Sequence, residues 1–249
     1  PMECVFTRDE ETQLTGASGM KAGFMTGNML INLDSEDEGQ IFVSCAGGRS
    51  TSAKFTFKRE AAPEGMFFLE ISIKGLKGGH SGDDIDKKRA NAIKILSRFL
   101  YMTQEKMDLR LVSFNSGKLH NAIPRDGKVV FAIPAAEKEN VRAAWNVFAA
   151  NVEDEFHVSD VEMEFYMQST EAQSVIEKEC SVRIIRALQA VDNGVYSMCQ
   201  DKALETMVET SSNIAVVKTE ENEIEVLASQ RSNVMSNLDN ECNTIQAVF

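Results

Sequence analysis

Hydrophobic and polar positions follow two different periods in the chain beyond residue 52. Over residues 54–59 and 67–74, apolar side chains occupy every second position, which is typical of strands with one face in a core. Over residues 87–102, apolar side chains recur every three or four positions, as on the buried side of an amphipathic helix. This part of the chain is therefore predicted to combine strands and helices.

The same patterns continue to the last residue. The predicted strands cover residues 109–116, 127–134, 161–167, 211–218 and 223–229, and the last two form a hairpin around 219–222. The predicted helices cover residues 137–152, 172–191 and 237–249. Hairpins that alternate with helices indicate an α+β fold, an antiparallel sheet with helices on one face. The sequence shows no internal repeat.

The first 52 residues have a different pattern. Two apolar runs, residues 2–7 and 29–33, are predicted to be buried strands, and an acidic segment follows each one. α/β sheets place their sites at the carboxyl ends of parallel strands. Because carboxylates are common metal ligands, the two segments could converge on one metal centre. The alternative is that both are solvated acidic turns.

A glycine-rich loop lies between a predicted strand and a predicted helix, at residues 75–82. It contains four glycines and His80, and glycine reaches positive φ and allows close approach of other groups. If a helix followed directly, its free N–H groups would make the loop a seat for an anion or a substrate carbonyl. The indication of a phosphate-binding P-loop is weak, because no Gly-Lys-Ser/Thr follows. The alternative is an ordinary turn.

Composition narrows the possible partners. The 249 residues carry a net charge of −12, which argues against nucleic acid or an anionic membrane as a partner. The five cysteines are scattered and never spaced as C-x-x-C, so reduced thiols and a cytoplasmic location are expected. No stretch approaches the ~20 consecutive apolar residues of a membrane span. The chain opens directly on a strand-like run, so we expect it to be a fragment of a longer protein.

Three stretches occur in a fixed order along the chain. They are Thr-Arg-Asp-Glu-Glu at residues 7–11, Leu-Asp-Ser-Glu-Asp-Glu-Gly at 33–39 and Gly-Leu-Lys-Gly-Gly-His-Ser-Gly at 75–82. Together they resemble the M20 metallopeptidases, most of all the aminoacyl-histidine (Xaa-His, or peptidase D) dipeptidases. Weaker similarity through residues 119–125, 209–213 and 218–222 extends the resemblance over nearly the whole chain.

The resemblance implies roles for four residues in hydrolysis. Glu10 would be the general base that takes a proton from the attacking water, while Glu11 and Asp34 would each be a ligand of one of two metal ions. These ions would be zinc, with manganese or cobalt as alternatives. His80 would be the histidine of the lid domain that stabilises the developing oxyanion. In dimeric members this histidine reaches the partner's active site.

Two further residues would contact the dipeptide. Asn121 would bind it near its backbone or terminal carboxylate, the alternative being an amide that caps the turn before Pro124. Arg231 would hold the C-terminal carboxylate, the alternative being a surface salt bridge. The resemblance also implies a homodimer formed through the lid domain.

The chain departs from the family pattern in its histidines. The only three are His80, His120 and His157, and no His-x-Asp occurs, whereas the family uses His-x-Asp, a bridging aspartate and a late histidine as ligands. The chain therefore resembles an internal fragment, with residues 1–52 from the catalytic domain and 53–249 forming the lid or dimerisation domain. We expect the fragment to be inactive and to bind two metal ions poorly by itself, because metal affinity depends on the full ligand set.

Three functions follow for the whole protein. The first is metal-dependent hydrolysis of dipeptides, with a preference for C-terminal histidine. The second is a noncatalytic dimerisation or binding module derived from such a peptidase. The third is a protein that binds metal without turnover. An intact Glu10 beside Glu11 favours the first, since a noncatalytic descendant has no need of a base beside a ligand.

Overall fold

The computed structural model describes residues 2–10, 14–34, 38–39, 41–42 and 45–249. The chain divides into two compact units, Pro1–Ser44 and Cys45–Phe249, and each is described by itself. The second unit begins at Cys45, and its first strand begins at Gly47. The assignment of residues 1–52 to a catalytic domain and of 53–249 to a lid domain stays a prediction.

The first unit contains one short helix among its described residues, α1 (Thr15–Ser18). The backbone around it folds back on itself, because the N–H groups of Leu14 and Gly16 donate to the carbonyls of Asp9 and Arg8. A Cβ on Gly16 would lie 2.5 Å from the Arg8 nitrogen, so only glycine fits there.

The two strands predicted in the first unit are wrong. Residues 2–7 and 29–33 form no strand, and Phe6, Ile31 and Leu33 are more than 80% exposed. An apolar run becomes a strand only when a neighbouring strand pairs with its backbone. Within the described residues no such neighbour exists for either run.

The second unit contains twelve strands and four helices of eight residues or more. The strands are β1 (Gly47–Thr56), β2 (Arg59–Glu60), β3 (Met66–Lys74), β4 (Gly79–His80), β5 (Arg110–Ser116), β6 (Ala122–Ile123), β7 (Gly127–Pro134), β8 (Glu164–Ser169), β9 (Val175–Ile176), β10 (Gly194–Met198), β11 (Val208–Thr219) and β12 (Glu223–Ser232). The helices are α2 (Ala92–Gln104), α3 (Lys138–Glu155), α4 (Lys178–Ala190) and α5 (Met235–Val248).

Seven of these strands form one continuous sheet in the order β1-β12-β11-β5-β7-β3-β8, and β10 pairs with β11 beside it. Every pairing in this sheet is antiparallel. The main apolar core takes residues from all four long helices and from the sheet, and Phe99 of α2 meets Trp145 of α3 edge to face at 4.7 Å between ring centroids. A smaller cluster on other strand positions includes Phe68, Val130 and Val175. The predicted α+β class is confirmed.

The sheet contains two halves with the same succession of elements. One half runs α2, β5, β7 and α3, with the short strand β6 inserted after β5. The other half runs α4, β11, β12 and α5, with β10 inserted after α4. The halves meet where Ser116 of β5 pairs with Val217 of β11, and α2 packs beside α4 at the same junction. The sheet edge that β5 would otherwise expose is therefore occupied by the same chain.

Two predicted helices begin later than their periodicity suggests. Residues 175–176 pair with β2 as a strand, so α4 begins at Lys178 rather than near residue 172. Helix α2 begins at Ala92, because the Asn91 side chain accepts hydrogen bonds from the N–H groups of Ile93 and Lys94. Strand β10 was not predicted. Within the described residues, no helix has the length and hydropathy that crossing a bilayer requires.

Candidate functional site

The glycine-rich loop forms a turn that a short strand pairing holds in place. His80 of β4 pairs with Ala122 of β6, and Gly79 pairs with Ile123. Gly75, Gly78 and Gly79 all have positive φ, and a Cβ on Gly75 would lie 2.0 Å from the Glu162 carbonyl oxygen. The glycines are therefore required by backbone conformation and close approach.

The loop does not lead directly into a helix, so the anion seat expected at a helix N-terminus is wrong. Residues Ile85–Lys87 form a single 3-10 turn, and α2 begins five residues later, at Ala92. The first N–H groups of α2 are already capped by the Asn91 side chain. Any chemistry at this loop therefore depends on its side chains.

The His80 imidazole, partly exposed, has one partner at each ring nitrogen. Its Nδ1 lies 2.8 Å from an Asp83 carboxylate oxygen, and its Nε2 lies 3.4 Å from Nη2 of Arg231. A neutral imidazole protonated at Nδ1 satisfies both, donating to Asp83 and accepting from Arg231. The Asp83 N–H also lies 3.3 Å from Nδ1, a longer contact that requires the other tautomer. The shorter carboxylate contact favours the proton on Nδ1.

Arg231 projects from β12 on the face of the sheet opposite α5. Its neighbour Gln230 faces α5, since Cys242 Sγ lies 3.6 Å from the Gln230 Oε1, and successive strand residues alternate between faces. Arg231 is half-buried, its Nε has no hydrogen-bond partner, and it forms no salt bridge with any carboxylate in the part of the chain that the structure describes. A guanidinium without a counter-ion is suited to binding an anion.

Asn121 is tied to the same turn through its backbone. Its carbonyl accepts a hydrogen bond from the Ser81 N–H at 2.8 Å, and the adjacent Ala122 carbonyl accepts one from the buried Asn213 side chain at 2.9 Å. Asn213 belongs to β11, so the Asn121 turn is held to the sheet. Three of the predicted site residues, His80, Asn121 and Arg231, are therefore brought together in the second unit.

The three predicted acidic residues belong to the first unit. Glu10 and Asp34 are exposed, and the Asp34 N–H donates to the Asn32 side chain at 3.0 Å. Glu11 lies outside the described residues. Among the residues that are described, no three or more His, Cys, Asp or Glu side chains are grouped so as to hold a metal ion, so these residues alone do not make a metal centre.

A groove of about 590 Å³ lies beside the His80 turn in the second unit. Its apolar lining includes Ile85, Ile123 and Phe156, and its charged lining includes Lys88 and Arg89. The groove is bounded by the 3-10 turn on one side and by β10 on the other.

Sequence reasoning missed the residues that support His80. Asp83, Asp84 and Arg89 follow the loop closely, and the first two contact His80 directly. The signal was present, because two consecutive acids and an arginine lie within nine residues of the histidine. Asn213 lies in a stretch that the resemblance covers, residues 209–213, but no sequence pattern links it to Ala122, which is 91 residues away in the chain.

Residues 71–160 match the model of the M20 peptidase dimerisation domain. The chain is 35% identical over 241 residues to the cytosol non-specific dipeptidase of Escherichia coli (strain K12). It also superimposes on the crystal structure of aminoacylhistidine dipeptidase from Vibrio alginolyticus with a TM-score of 0.86 and 37% identity.

The two relatives are covered only in part. The match takes in 96% of this chain and 49% of the E. coli protein, and 97% of this chain and 49% of the Vibrio protein. The chain thus spans about half the length of these relatives, and the similarity extends through both of its units.

Proposed function

We propose that the whole protein, whose residues 71–160 carry the M20 peptidase dimerisation domain, hydrolyses dipeptides. The second unit supplies residues that bind the substrate and stabilise its transition state. We further propose that C-terminal histidine is preferred. Support comes from the Vibrio relative, named as an aminoacylhistidine dipeptidase, whereas the E. coli relative is named as non-specific. A comparison of substrates is therefore part of the test.

The observation that carries the proposal is the pairing of His80 with Arg231. Their nearest nitrogens are 3.4 Å apart, and consecutive Cα atoms of a peptide are about 3.8 Å apart. In a dipeptide the scissile carbonyl and the terminal carboxylate are separated by a single residue. Arg231 and a His80 that is protonated at Nε2 can therefore contact both groups of one small substrate, which a longer peptide could not present in the same way.

Each side chain then has a distinct part in hydrolysis. Arg231 binds the C-terminal carboxylate through charge-assisted hydrogen bonds. His80 donates a hydrogen bond from Nε2 to the oxyanion that develops on the scissile carbonyl. This requires the imidazole to be protonated at Nε2, and Asp83 at Nδ1 stabilises the resulting cation. Asn121 orients the peptide backbone, and Glu10 acts as general base toward the attacking water.

We propose two divalent metal ions for the whole protein, zinc first, with manganese or cobalt as alternatives. When bound, such ions polarise the carbonyl and lower the pKa of water. Glu11 and Asp34 would each hold one ion. Because the described residues contain no group of three ligands, the remaining ligands must come from elsewhere in the protein.

We propose that the whole protein is a cytosolic homodimer. The match to a peptidase dimerisation domain supports the dimer, and the name of the E. coli relative supports the location. Since β11 occupies the edge of β5 within one chain, a second copy must use another surface. The outer edge of β8, which pairs only with β3 among the described strands, is one such surface.

The proposal is tested by incubating the whole protein with Ala-His, Ala-Ala and the C-terminal amide of Ala-His, with zinc or manganese present. We expect hydrolysis of both free dipeptides, faster for Ala-His, and little hydrolysis of the amide. Equal rates for the free and amidated substrates would show that no carboxylate is recognised. Absence of hydrolysis with every metal would leave the noncatalytic module as the better account.

A further inference from the structure

The backbone of His80 is held on both sides by one residue. The His80 N–H donates to Oδ2 of Asp84 at 2.8 Å, and the His80 carbonyl accepts from the Asp84 N–H at 3.1 Å. A single aspartate thus closes a small ring on the residue that carries the imidazole. The next N–H, that of Ser81, is taken by the Asn121 carbonyl, so this stretch has little freedom to rotate.

Asp84 is itself fixed by two cations. Its other oxygen, Oδ1, lies 2.7 Å from Lys87 Nζ and 2.9 Å from Arg89 Nη2. Arg89 also donates from Nη1 to the Gly78 carbonyl at 2.5 Å. The side chains of Asp84 and Arg89 are 17% and 13% exposed, so their attraction is screened less than that of a surface pair. Hydrogen bonding from Lys87 and from the His80 N–H holds the pKa of Asp84 below its usual value against the effect of burial.

The glycines of the turn make room for this pair. A Cβ on Gly79 would lie 2.1 Å from Arg89 Nη1 and 2.3 Å from Asp84 Oδ2. Its φ of +139° is also unfavourable for other residues. Part of the glycine density in the loop therefore exists so that the ion pair can lie directly against the backbone that precedes His80.

We propose that Asp84, held by Arg89, is a positioning residue that fixes the backbone of His80 and so keeps its imidazole beside Arg231. This rests on the proposed function, in which His80 contacts the substrate. Asp84 acts only through His80 and contacts neither the substrate nor the metal ions. Its contribution depends on preorganisation, since a displacement of about 1 Å in a catalytic group costs on the order of 100-fold in rate.

The first test compares Asp84→Asn with Asp86→Asn in the whole protein. Both changes remove one negative charge from the same turn, but no described residue forms an ion pair with Asp86. Asparagine at position 84 keeps an oxygen for the His80 N–H and loses the charge that holds Arg89. We expect Asp84→Asn to lower kcat about 10- to 100-fold with little change in KM, and Asp86→Asn to change neither. Wild-type kcat in Asp84→Asn would overturn the proposal.

A double-mutant cycle separates positioning from general loss of stability. If Asp84 acts through His80, adding Asp84→Asn to His80→Ala should cause no further loss of kcat. Multiplicative losses would mean that Asp84 acts independently of His80, which contradicts the proposal.

Gly79→Ala tests the contact between Asp84 and Arg89 without changing a charge, and Gly65→Ala is its control. Gly65 also has positive φ, but no atom lies within 4 Å of its added Cβ. Only Gly79→Ala should reproduce the loss of kcat.

A measurement independent of catalysis distinguishes failure of this inference from failure of the proposed function. The NMR signal of the His80 imidazole is identified by its absence in His80→Ala. We expect that signal to shift or broaden in Asp84→Asn and to stay unchanged in Asp86→Asn. If it moves while His80→Ala retains full activity, the positioning stands and the proposed role of His80 fails. If it does not move, the positioning is refuted whatever the kinetics show.

Discussion

Arg231 Nη2 lies 3.4 Å from His80 Nε2, although 151 residues separate the two in the chain. The contact joins a glycine turn to the far half of the sheet, because His80 belongs to β4 and Arg231 to β12. A cation thus lies next to an imidazole that already has an aspartate on its other nitrogen. Under the proposed function, Arg231 binds the anionic end of the substrate, and His80 is a second donor once its Nε2 is protonated.

Loss of Arg231 should weaken binding of a free carboxylate. We expect Arg231→Ala to raise KM for Ala-His about 10- to 100-fold, since a hydrogen bond to a charged group contributes about 1.5–3 kcal/mol. KM for the amidated substrate should rise far less. Arg186→Ala is the control, because that exposed arginine pairs with Glu105 on the surface. An equal rise in KM for the two substrates would exclude Arg231 as the carboxylate ligand.

Lys94 is expected to make the free energy of unfolding increase with pH in the alkaline range. Its Nζ donates to the carbonyls of Leu188, Gln189 and Val191, and burial lowers its pKa from 10.5 to about 8. Between those values the unfolded chain binds more protons than the folded one, so stability should rise with pH. The gain is about 2–3 kcal/mol at most.

The measurement is the free energy of unfolding of wild type, Lys94→Met and Lys106→Met at pH 7.5 and pH 10.5. Lys106 is exposed and serves as the control. As the pH rises, the free energy of unfolding of wild type should increase relative to that of Lys94→Met. A difference that stays constant across this range would mean that Lys94 titrates as it does in the unfolded chain.

Glu241 is a carboxylate on the buried face of α5, and it has no hydrogen-bond partner among the described residues. It is 1% exposed, and neither carboxylate oxygen has a hydrogen-bond partner. Burial, with a smaller contribution from Asp192, raises its pKa above 4.5. Its stabilising contribution is therefore complete below about pH 4.5 and is lost as pH rises through the raised value.

We expect Glu241→Gln to be more stable than wild type at pH 8 by about 1 kcal/mol or more, and nearly equal to it at pH 4. Denaturant unfolding at the two pH values measures this, with the exposed Glu153→Gln as the matched change on α3. A glutamine variant less stable than wild type at pH 8 would imply that the carboxylate has a counter-ion or bound water.

Local periodicity of apolar residues was sufficient to predict most of the longer strands and helices of the second unit. Strands β3, β5 and β7 lie within a residue of their predicted bounds, because their alternation depends only on a sheet with one buried face. Strand β10 escaped prediction since much of it is exposed beside β11. The apolar run at 29–33 was misread because periodicity cannot show whether a pairing strand is present.

The candidate site was predicted from the resemblance and not from any pattern, and the catalytic and binding roles of its residues stay predictions. The sequence marked His80 through its glycines, but its contact with Arg231 is tertiary and leaves no local signal. The two halves of the sheet share an order of elements without a detectable sequence repeat, because topology constrains where apolar residues fall and not which ones are used. Asp84 and Arg89 were close enough to His80 to be noticed, yet only the structure shows both acting on one backbone turn.

The most direct test of the central claim is kcat for Ala-His hydrolysis by the whole protein carrying His80→Ala. His120→Ala and His157→Ala are matched controls, since these are the only other histidines in the sequence. We expect His80→Ala to lower kcat by about 100- to 1,000-fold, as loss of an oxyanion donor does, and both controls to keep wild-type rates. A His80→Ala protein with wild-type kcat would contradict the account.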